Sequence, residues 1–216
     1  MIKTSASLLA CDLSNISGEL SRCKAAGVDW IHFDVMDGAF VEQITYGSPV
    51  LKCIRRATDM FLDVHLMVND PMSQIKFFAE AGADLISFHL ESSSSAVQTL
   101  ELIRSFGVKS ALAIKPGTAA EEVYPLLSLC DMVLVMTVEP GYGGQAFIPE
   151  TIEKIRQLRE YAGSDLDIEV DGGINAKTAP LVKEAGANVL VAGTGLFKAE
   201  DMEQANAALK TPQKGA

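Results

Sequence analysis

The sequence predicts an α/β protein built as a single (β/α)8 barrel, the TIM-barrel architecture, and three observations carry that expectation. First, the chain has 216 residues, 48% of them hydrophobic, which suits one domain around one sizeable core rather than a disordered chain. Second, a weak repeat runs along it. Ala26-Gly27-Val28-Asp29, Ala81-Gly82-Ala83-Asp84 and Ala185-Gly186-Ala187-Asn188 each close a helical pattern and precede an apolar run. The glycine is the left-handed residue that ends a helix. Gly27, Gly82 and Gly186 lie 55 and 104 residues apart, close to one and two multiples of about 52. A further stop at Ser105-Phe106-Gly107-Val108-Lys109 halves this to a unit of about 26 residues, one strand plus one helix. Eight such units nearly fill residues 1–216. Third, short apolar segments alternate regularly with helical patterns, which implies parallel strands. Eight units favour a closed barrel over a doubly wound sheet.

The expected strands are Thr4–Ala10, Trp30–Met36, Phe61–Val68, Leu85–Leu90, Ser110–Lys115, Met132–Val138, Asp167–Asp171 and Val189–Gly193. Most are short, apolar and rich in branched side chains, as strands covered on both faces should be. Helical patterns lie between them, for example at Asn15–Ala26, Pro71–Ala81, Ala96–Phe106, Pro149–Tyr161 and Thr178–Ala185. Pro71 and Pro149 fall where a first helical turn tolerates proline. The chain is near the small end for this barrel, so few inserted domains are expected, and the tail Lys210–Ala216 reads as frayed.

A net charge of −10 and a pI of about 4.8 argue against nucleic-acid and anionic-membrane partners, which call for a basic face. An anionic small molecule is still permitted, because backbone N–H groups bind phosphate without net positive charge. Cys11, Cys23, Cys53 and Cys130 form no CxxC pair and are expected to be buried, reduced thiols of a cytoplasmic protein. Leu8-Leu9-Ala10-Cys11 imitates a lipoprotein cleavage box, but Thr4-Ser5-Ala6-Ser7 interrupts the apolar stretch that a signal peptide requires.

Barrel enzymes place their sites at the C-terminal ends of the strands, so the informative residues are polar ones ending apolar strands. The chain has three histidines, His32, His65 and His89, and all three stand in such strands. In Trp30-Ile31-His32-Phe33-Asp34-Val35-Met36 the period of two puts His32 and Asp34 on one face. If Ile31, Phe33 and Val35 face the helices, that face is the barrel interior. His65 ends strand 3 and Asp171 ends strand 7. Two imidazoles and two carboxylates meeting in one barrel mouth suit a divalent metal ion. A hydrogen-bonded structural cluster is the alternative. Asp34 and Asp171 come from strands 2 and 7, so they reach the mouth from different sides. Two such carboxylates beside a metal-bound ketone suit proton removal from one face of a carbon and return to the other, with the metal stabilising the enediolate between the steps. That chemistry is epimerisation. The glycine-rich strand ends Gly141-Tyr142-Gly143-Gly144, Gly172-Gly173 and Gly193-Thr194-Gly195 supply close backbone approach for a phosphate.

Ser7-Leu8-Leu9, His32-Phe33-Asp34-Val35-Met36-Asp37-Gly38, Asp63-Val64-His65-Leu66-Met67, the run from Met136 to Gln145 and Glu169-Val170-Asp171-Gly172-Gly173 together resemble the ribulose-phosphate 3-epimerase family, in order, from about Ser7 to Phe197. The resemblance implies a TIM-barrel isomerase that interconverts D-ribulose 5-phosphate and D-xylulose 5-phosphate at C3. It implies one divalent ion (zinc, iron, manganese or cobalt) on His32, Asp34, His65 and Asp171. Asp34 is then the proton acceptor and Asp171 the donor. Substrate contacts are implied at Ser7, His65, Met36, Met67, Met136, Gly141, Tyr142, Gly143, Gly144, Gly172, Gly173, Gly193 and Thr194. Read from the sequence alone, the three methionines are equally core fillers.

One segment departs from the family pattern. Phe40-Val41 is followed by Glu42-Gln43 where the family has Pro-Asn, in a stretch placed to cover the substrate. Gly193-Thr194-Gly195-Leu196-Phe197 also resembles the related allulose-6-phosphate 3-epimerases, so a six-carbon ketose phosphate is the alternative substrate. An inactive sugar-phosphate-binding paralogue is the alternative of another class. A metal-free isomerase of triosephosphate type lacks support: Lys115 ends strand 5, but no glutamate constellation accompanies it. His89 reads as a hydrogen-bonded core histidine, Asp63 as the support of His65, and Asp37 as serving the turn at Gly38. The expected partner is a small-molecule ketose phosphate, with no nucleic acid and no membrane, and the expected assembly is a homo-oligomer.

Overall fold

A computed structural model describes residues 1–211. Eight parallel strands close into a barrel in sequence order, with β1 hydrogen-bonded to β8. They are β1 Lys3–Ser7, β2 Trp30–Met36, β3 Phe61–Met67, β4 Leu85–His89, β5 Lys109–Ile114, β6 Met132–Met136, β7 Asp167–Asp171 and β8 Val189–Ala192. The helices are α1 Ile16–Ala25, α2 Ser48–Ala57, α3 Ile75–Ala81, α4 Ala96–Ser105, α5 Thr151–Ala162, α6 Ala179–Glu184, α7 Thr194–Phe197 and α8 Met202–Lys210. The predicted (β/α)8 barrel is thus the fold observed. Among the described residues no helix is long and apolar enough to cross a membrane.

Several boundaries differ from the expectation. Leu8–Ala10 leaves β1 as a 3-10 turn, and Gly193 leaves β8 to open α7. Pro71 and Pro149 sit in turns ahead of α3 and α5 rather than inside their first turns. Two elements lie outside the helical patterns named above. Helix α2 buries only Leu51 and Ile54. Ala120–Leu129 winds as 3-10 turns around Pro125, which lacks the N–H an α-helix needs. Lys210 is the last residue of α8 and Thr211 caps it; residues 212–216 of the supposed tail lie outside the described residues. Of the cysteines only Cys23 is fully buried, and Cys53 is exposed on α2.

Side chains alternate across the strands. Ile31, Phe33 and Val35 of β2 and Leu62, Val64 and Leu66 of β3 face outward into one core with the helices. The alternate residues fill the barrel. Trp30, Leu85, Ala111, Met132 and Val189, with Phe61, pack its lower end, and the Trp30 and Phe61 rings stack 4.4 Å apart. Burying all this apolar surface supplies the main driving force for folding.

The repeat seen in the sequence is the stitching of this lower end. Before every even-numbered strand, one side chain accepts the N–H of the second residue of the strand before it. Asp29 takes Thr4 N at 2.8 Å, Asp84 takes Leu62 N at 2.8 Å, Asp131 takes Ser110 N at 2.9 Å and Asn188 takes Ile168 N at 2.7 Å. Two of these carry a matching arginine. Arg55 holds Asp84 and the carbonyls of Thr58 and Met60, and Arg159 holds Asn188 and the carbonyls of Gly163 and Leu166. The repeat glycines make room for these arginines: a Cβ on Gly82 or Gly186 would stand 2.6 Å from the stem of Arg55 or Arg159. A period of two strands in the stitch explains a repeat of about 52 rather than 26 residues.

This stitch is remote from the strand ends where the polar side chains gather. Asp84→Ala leaves the Leu62 N–H and Arg55 without their acceptor and is expected to cost about 1–3 kcal/mol of stability, measured by denaturant unfolding. Its turnover at 25 °C should match the parent's; a loss of turnover in the folded variant would show that the two ends are not independent.

Candidate active site and metal centre

The upper ends of the strands enclose a cavity of about 830 Å³, ample for a small phosphorylated ligand. Ser7, Asp34, Met36, Met67, Met136 and Asp171 line it from the strands. Gly141, Tyr142, Gly143 and Gly144 line it from the loop after β6, Gly172 and Gly173 after β7, and Gly193 and Thr194 after β8. His65 is absent from this lining; it lies fully buried behind the floor.

Strand register assembles the floor. On the β2–β3 ladder Asp34 is level with His65, and His32 with Asp63. His32, Asp34, His65 and Asp171 offer ligand atoms that all lie within 4.8 Å of one another. The His32 Nδ1 and Asp63 Oδ2 atoms are hydrogen-bonded at 2.6 Å. That leaves His32 Nε2 at 3.3 Å from Asp34 Oδ1 and 4.0 Å from Asp171 Oδ2. His65 uses Nε2 toward His89 Nε2, 3.0 Å away, and turns Nδ1 toward Asp34 Oδ1 at 3.5 Å. The Ser7 hydroxyl donates to Asp34 Oδ2 at 2.7 Å, so Oδ1 is the oxygen left facing the cluster.

Two of these inward atoms, His32 Nε2 and His65 Nδ1, are buried and have no hydrogen-bond partner. Buried polar atoms left without a partner are costly, and with its proton lost each of these nitrogens presents a lone pair to the cluster. A set of two imidazole nitrogens and two carboxylate oxygens suits a divalent transition-metal ion. The residues present therefore fit a metal, and its identity is not fixed by the donor set.

The two candidate acid/base carboxylates differ in proton affinity. Burial works to raise Asp34, but the His32 ring outweighs it and holds the carboxyl well below its usual range. Asp171 is pushed up to about 6, first by burial and then by the negative charge of Asp34. Behind them, burial opposes a charge on His32, yet the Asp63 and Asp34 carboxylates raise the imidazole well above its ordinary value. Burial and neighbouring Asp63 raise Glu169 well above the carboxylate range. His89 is drawn down to about 4, chiefly by burial.

Two sequence readings need correction or extension. Asp63 supports His32, not His65, because residues two apart on one strand are neighbours along it while the hydrogen bond runs across the ladder. His65 is supported instead by His89, which in turn meets Glu91 Oε2 at 3.1 Å. Asp37 does serve its turn: Oδ1 accepts from Ala39 N and Phe40 N, and Oδ2 from Asn69 N. Sequence reasoning missed Glu91, Glu169 and Lys198. Glu169 shares the inward period of Asp171, a legible signal. Lys198 lines the cavity just past α7, and Glu91 follows β4 in a loop, where periodicity says nothing. The departing segment reaches across the cavity mouth, where Glu42 Oε2 accepts from the Tyr142 hydroxyl at 2.8 Å.

Comparison with known proteins agrees with this geometry. A model of the ribulose-phosphate 3 epimerase family matches residues 3–197. The chain is 42% identical over 218 residues to the cytoplasmic isoform of ribulose-phosphate 3-epimerase of Oryza sativa subsp. japonica, covering 99% of this chain and 95% of that one. It is 43% identical over 209 residues to ribulose-phosphate 3-epimerase of Bacillus subtilis, covering 95% and 96%. Among solved structures, a 3-hexulose-6-phosphate synthase superposes with a TM-score of 0.69 at 19% identity, covering 96% of this chain and 98% of that one, a likeness of fold.

A cation entering the cluster must displace the Asp171 proton. A carboxyl raised from 3.8 to about 6 binds its proton more tightly folded than unfolded, so it favours the metal-free fold below pH 4 and loses that advantage as pH rises to about 6. Cation affinity should therefore climb with pH. In Asp171→Asn the slope of log affinity against pH below pH 6 should fall by about one proton, as read by titration with cobalt(II). An unchanged slope would remove Asp171 from the ligand set.

Proposed function

The chain belongs to the ribulose-phosphate 3-epimerase family and is an isomerase, and from that premise we propose that it interconverts D-ribulose 5-phosphate and D-xylulose 5-phosphate by moving a proton at C3 between Asp34 and Asp171. The observation that carries this reading is the placement of two carboxylates, one from β2 and one from β7, on the floor of one cavity within a single four-residue cluster, with Asp34 lowered by its histidine neighbour and Asp171 raised by burial. Two groups whose environments push them apart are suited to opposite roles. Asp34, held ionised, takes the C3 proton from one face. Asp171, on the strand five places along the barrel, stands on the other side of the cluster and exchanges a proton with the opposite face. The hydroxyl of Ser7 keeps Asp34 Oδ2 occupied and so aims Oδ1 inward.

A divalent cation on His32, Asp34, His65 and Asp171, whether zinc, iron, manganese or cobalt, supplies positive charge beside the oxygens that gain electron density when the proton leaves. Met36, Met67 and Met136 present polarisable, uncharged walls over the reacting carbon.

The phosphate end is assigned to Gly172, Gly173, Gly193 and Thr194, with Lys198 as counter-charge and Gly141 to Gly144 closing over the sugar. Thr194 opens α7, and the first N–H groups of a helical turn have no acceptor inside it. Gly172 and Gly173 adopt φ of +125° and +65°, and a Cβ on either would meet a backbone nitrogen, of Val138 or Phe147, at 2.8 Å. Substitution there tests folding, not phosphate. Gly193 has φ of −99°, and a Cβ would meet Ala10 Cβ at 3.1 Å and Ser7 at ordinary contact distance, 3.7 Å. Gly193→Val should raise KM about tenfold or more by blocking the approach of a part of the substrate that does not react; a folded variant with the parent's KM would move the phosphate elsewhere.

The proton assignment is tested by isotope exchange, with wild-type initial rates on D-ribulose 5-phosphate and D-allulose 6-phosphate measured side by side. The five-carbon sugar is expected to turn over faster; the reverse order would make the protein a hexulose-phosphate epimerase. In metal-loaded Asp171→Asn, Asp34 alone should exchange deuterium from solvent into C3 of ribulose 5-phosphate without inversion. Xylulose 5-phosphate accumulating at the wild-type rate in that variant would refute the pairing of the two carboxylates.

A further inference from the structure

Three side chains stand in line behind the cavity floor: His65, His89 and Glu91. The His65 ring is fully buried, as is His89. Their Nε2 atoms are 3.0 Å apart, and His89 Nδ1 is 3.1 Å from Glu91 Oε2. The other Glu91 oxygen, Oε1, accepts from Lys115 N at 2.7 Å and from the Thr118 hydroxyl. These donors and His89 outweigh burial and hold the Glu91 carboxyl down to about 2. Lys115 itself lies over the Phe40 ring at 4.1 Å, and Phe40 packs against His89 with ring centroids 4.8 Å apart. Phe40 thus covers the His89 ring, with Lys115 behind it.

Donor and acceptor parity then fixes where the protons sit. An ionised carboxylate only accepts, so His89 must carry its proton on Nδ1. A neutral imidazole has one proton, so His89 Nε2 presents a lone pair. Two ring nitrogens 3.0 Å apart need one proton between them, and His65 must supply it from Nε2. His65 is then bare at Nδ1, the atom that is buried, unpartnered and turned toward Asp34. We infer that Glu91 and His89 are positioning residues that lock His65 as its Nε2–H tautomer and so keep Nδ1 free to ligate the divalent cation. The cation half of this inference rests on the metal reading above; the tautomer half does not.

The relay makes the two imidazoles of the floor unlike each other. His32 meets a carboxylate directly and faces the cluster with Nε2. His65 meets a neutral imidazole and faces it with Nδ1. The carboxylate behind His65 is one ring further away, so it sets geometry while lending the ligand less negative charge. Removing groups that orient a metal-bound histidine ordinarily weakens metal binding by about 10- to 100-fold.

With three histidines in the chain, imidazole nitrogen NMR of the metal-free protein reads each tautomer directly. The relay requires His65 protonated at Nε2 and His89 at Nδ1; His65 protonated at Nδ1 overturns it. Cobalt(II) affinity, measured by chelator competition, tests the consequence. His89→Leu should weaken cobalt binding about 10- to 100-fold, whereas His89→Gln, whose amide oxygen can still accept from His65 Nε2, should stay within about threefold of wild type. Glu91→Gln, a half-buried change that keeps the packing, should convert the single His65 tautomer into a mixture. An unmixed Nε2–H signal in Glu91→Gln, or wild-type cobalt affinity in folded His89→Leu, would dismiss the relay. Absence of cobalt binding by the wild type would defeat the metal reading alone, because the spectrum still decides the tautomer.

Discussion

Four carboxylates, Asp34, Asp63, Glu169 and Asp171, stand close together inside a closed barrel, and much of the structure answers to the cost of keeping them there. Isolated charges in such a place are prohibitively expensive, so each must be paired, hydrogen-bonded or neutralised. All three routes are in use. Asp63 is hydrogen-bonded to His32 and to Ser5 at 3.1 Å. Asp34 receives Ser7. Glu169, fully buried, beside Asp63 and no nearer than 3.8 Å to His32, is raised well above the carboxylate range. Asp171, at the cavity edge, lies between these extremes. The gradient of proton affinity that the proposed chemistry uses is thus a consequence of depth and of which neighbour each carboxylate meets.

The barrel separates that burden from its own stability. Its lower end is an apolar layer stitched by Asp29, Asp84, Asp131 and Asn188. Its upper end carries the unpartnered nitrogens, the buried acids and the glycine-rich loops. Polar groups that are poorly satisfied are tolerable when the folding free energy is secured elsewhere. The walls of the barrel, with outward faces fully covered by helices, connect the two ends rigidly and hold the floor in register.

What was legible in the sequence follows from which geometry is local. A strand's period of two is local, so His32 and Asp34 could be placed on one inward face, and the apolar strands with polar ends marked out His65 and Asp171. The spacing of the repeats gave the number of units. Register between strands is not local: nothing in Asp63-Val64-His65 tells which of the two faces His32, and the support of the histidines was accordingly misassigned. Loop residues such as Glu91 and Lys198 acquire their places only through tertiary contacts. The glycine runs were legible but ambiguous. Gly172 and Gly173 are required by their backbone angles and by the nearness of Val138 and Phe147, whether or not an anion binds there.

The buried layer also indicates why a doubly charged ion suits it. Below about pH 6 the metal-free floor holds an imidazolium at His32, a proton on Asp171 and a proton on Glu169, against ionised Asp34 and Asp63. That arrangement leaves one net negative charge. Ligation requires His32 to give up its proton and Asp171 to ionise. The floor then bears three carboxylates, and a divalent ion restores the same single negative charge. Exchange of two protons for one divalent ion is therefore neutral in charge, and the Born cost of the layer, which grows with the square of net charge, is left nearly unchanged. A monovalent ion would deepen the deficit, and a trivalent one would cancel it. Glu169 makes this balance possible by remaining neutral: were it ionised, the same exchange would leave a second uncompensated charge two residues from Asp171, in the part of the barrel farthest from water.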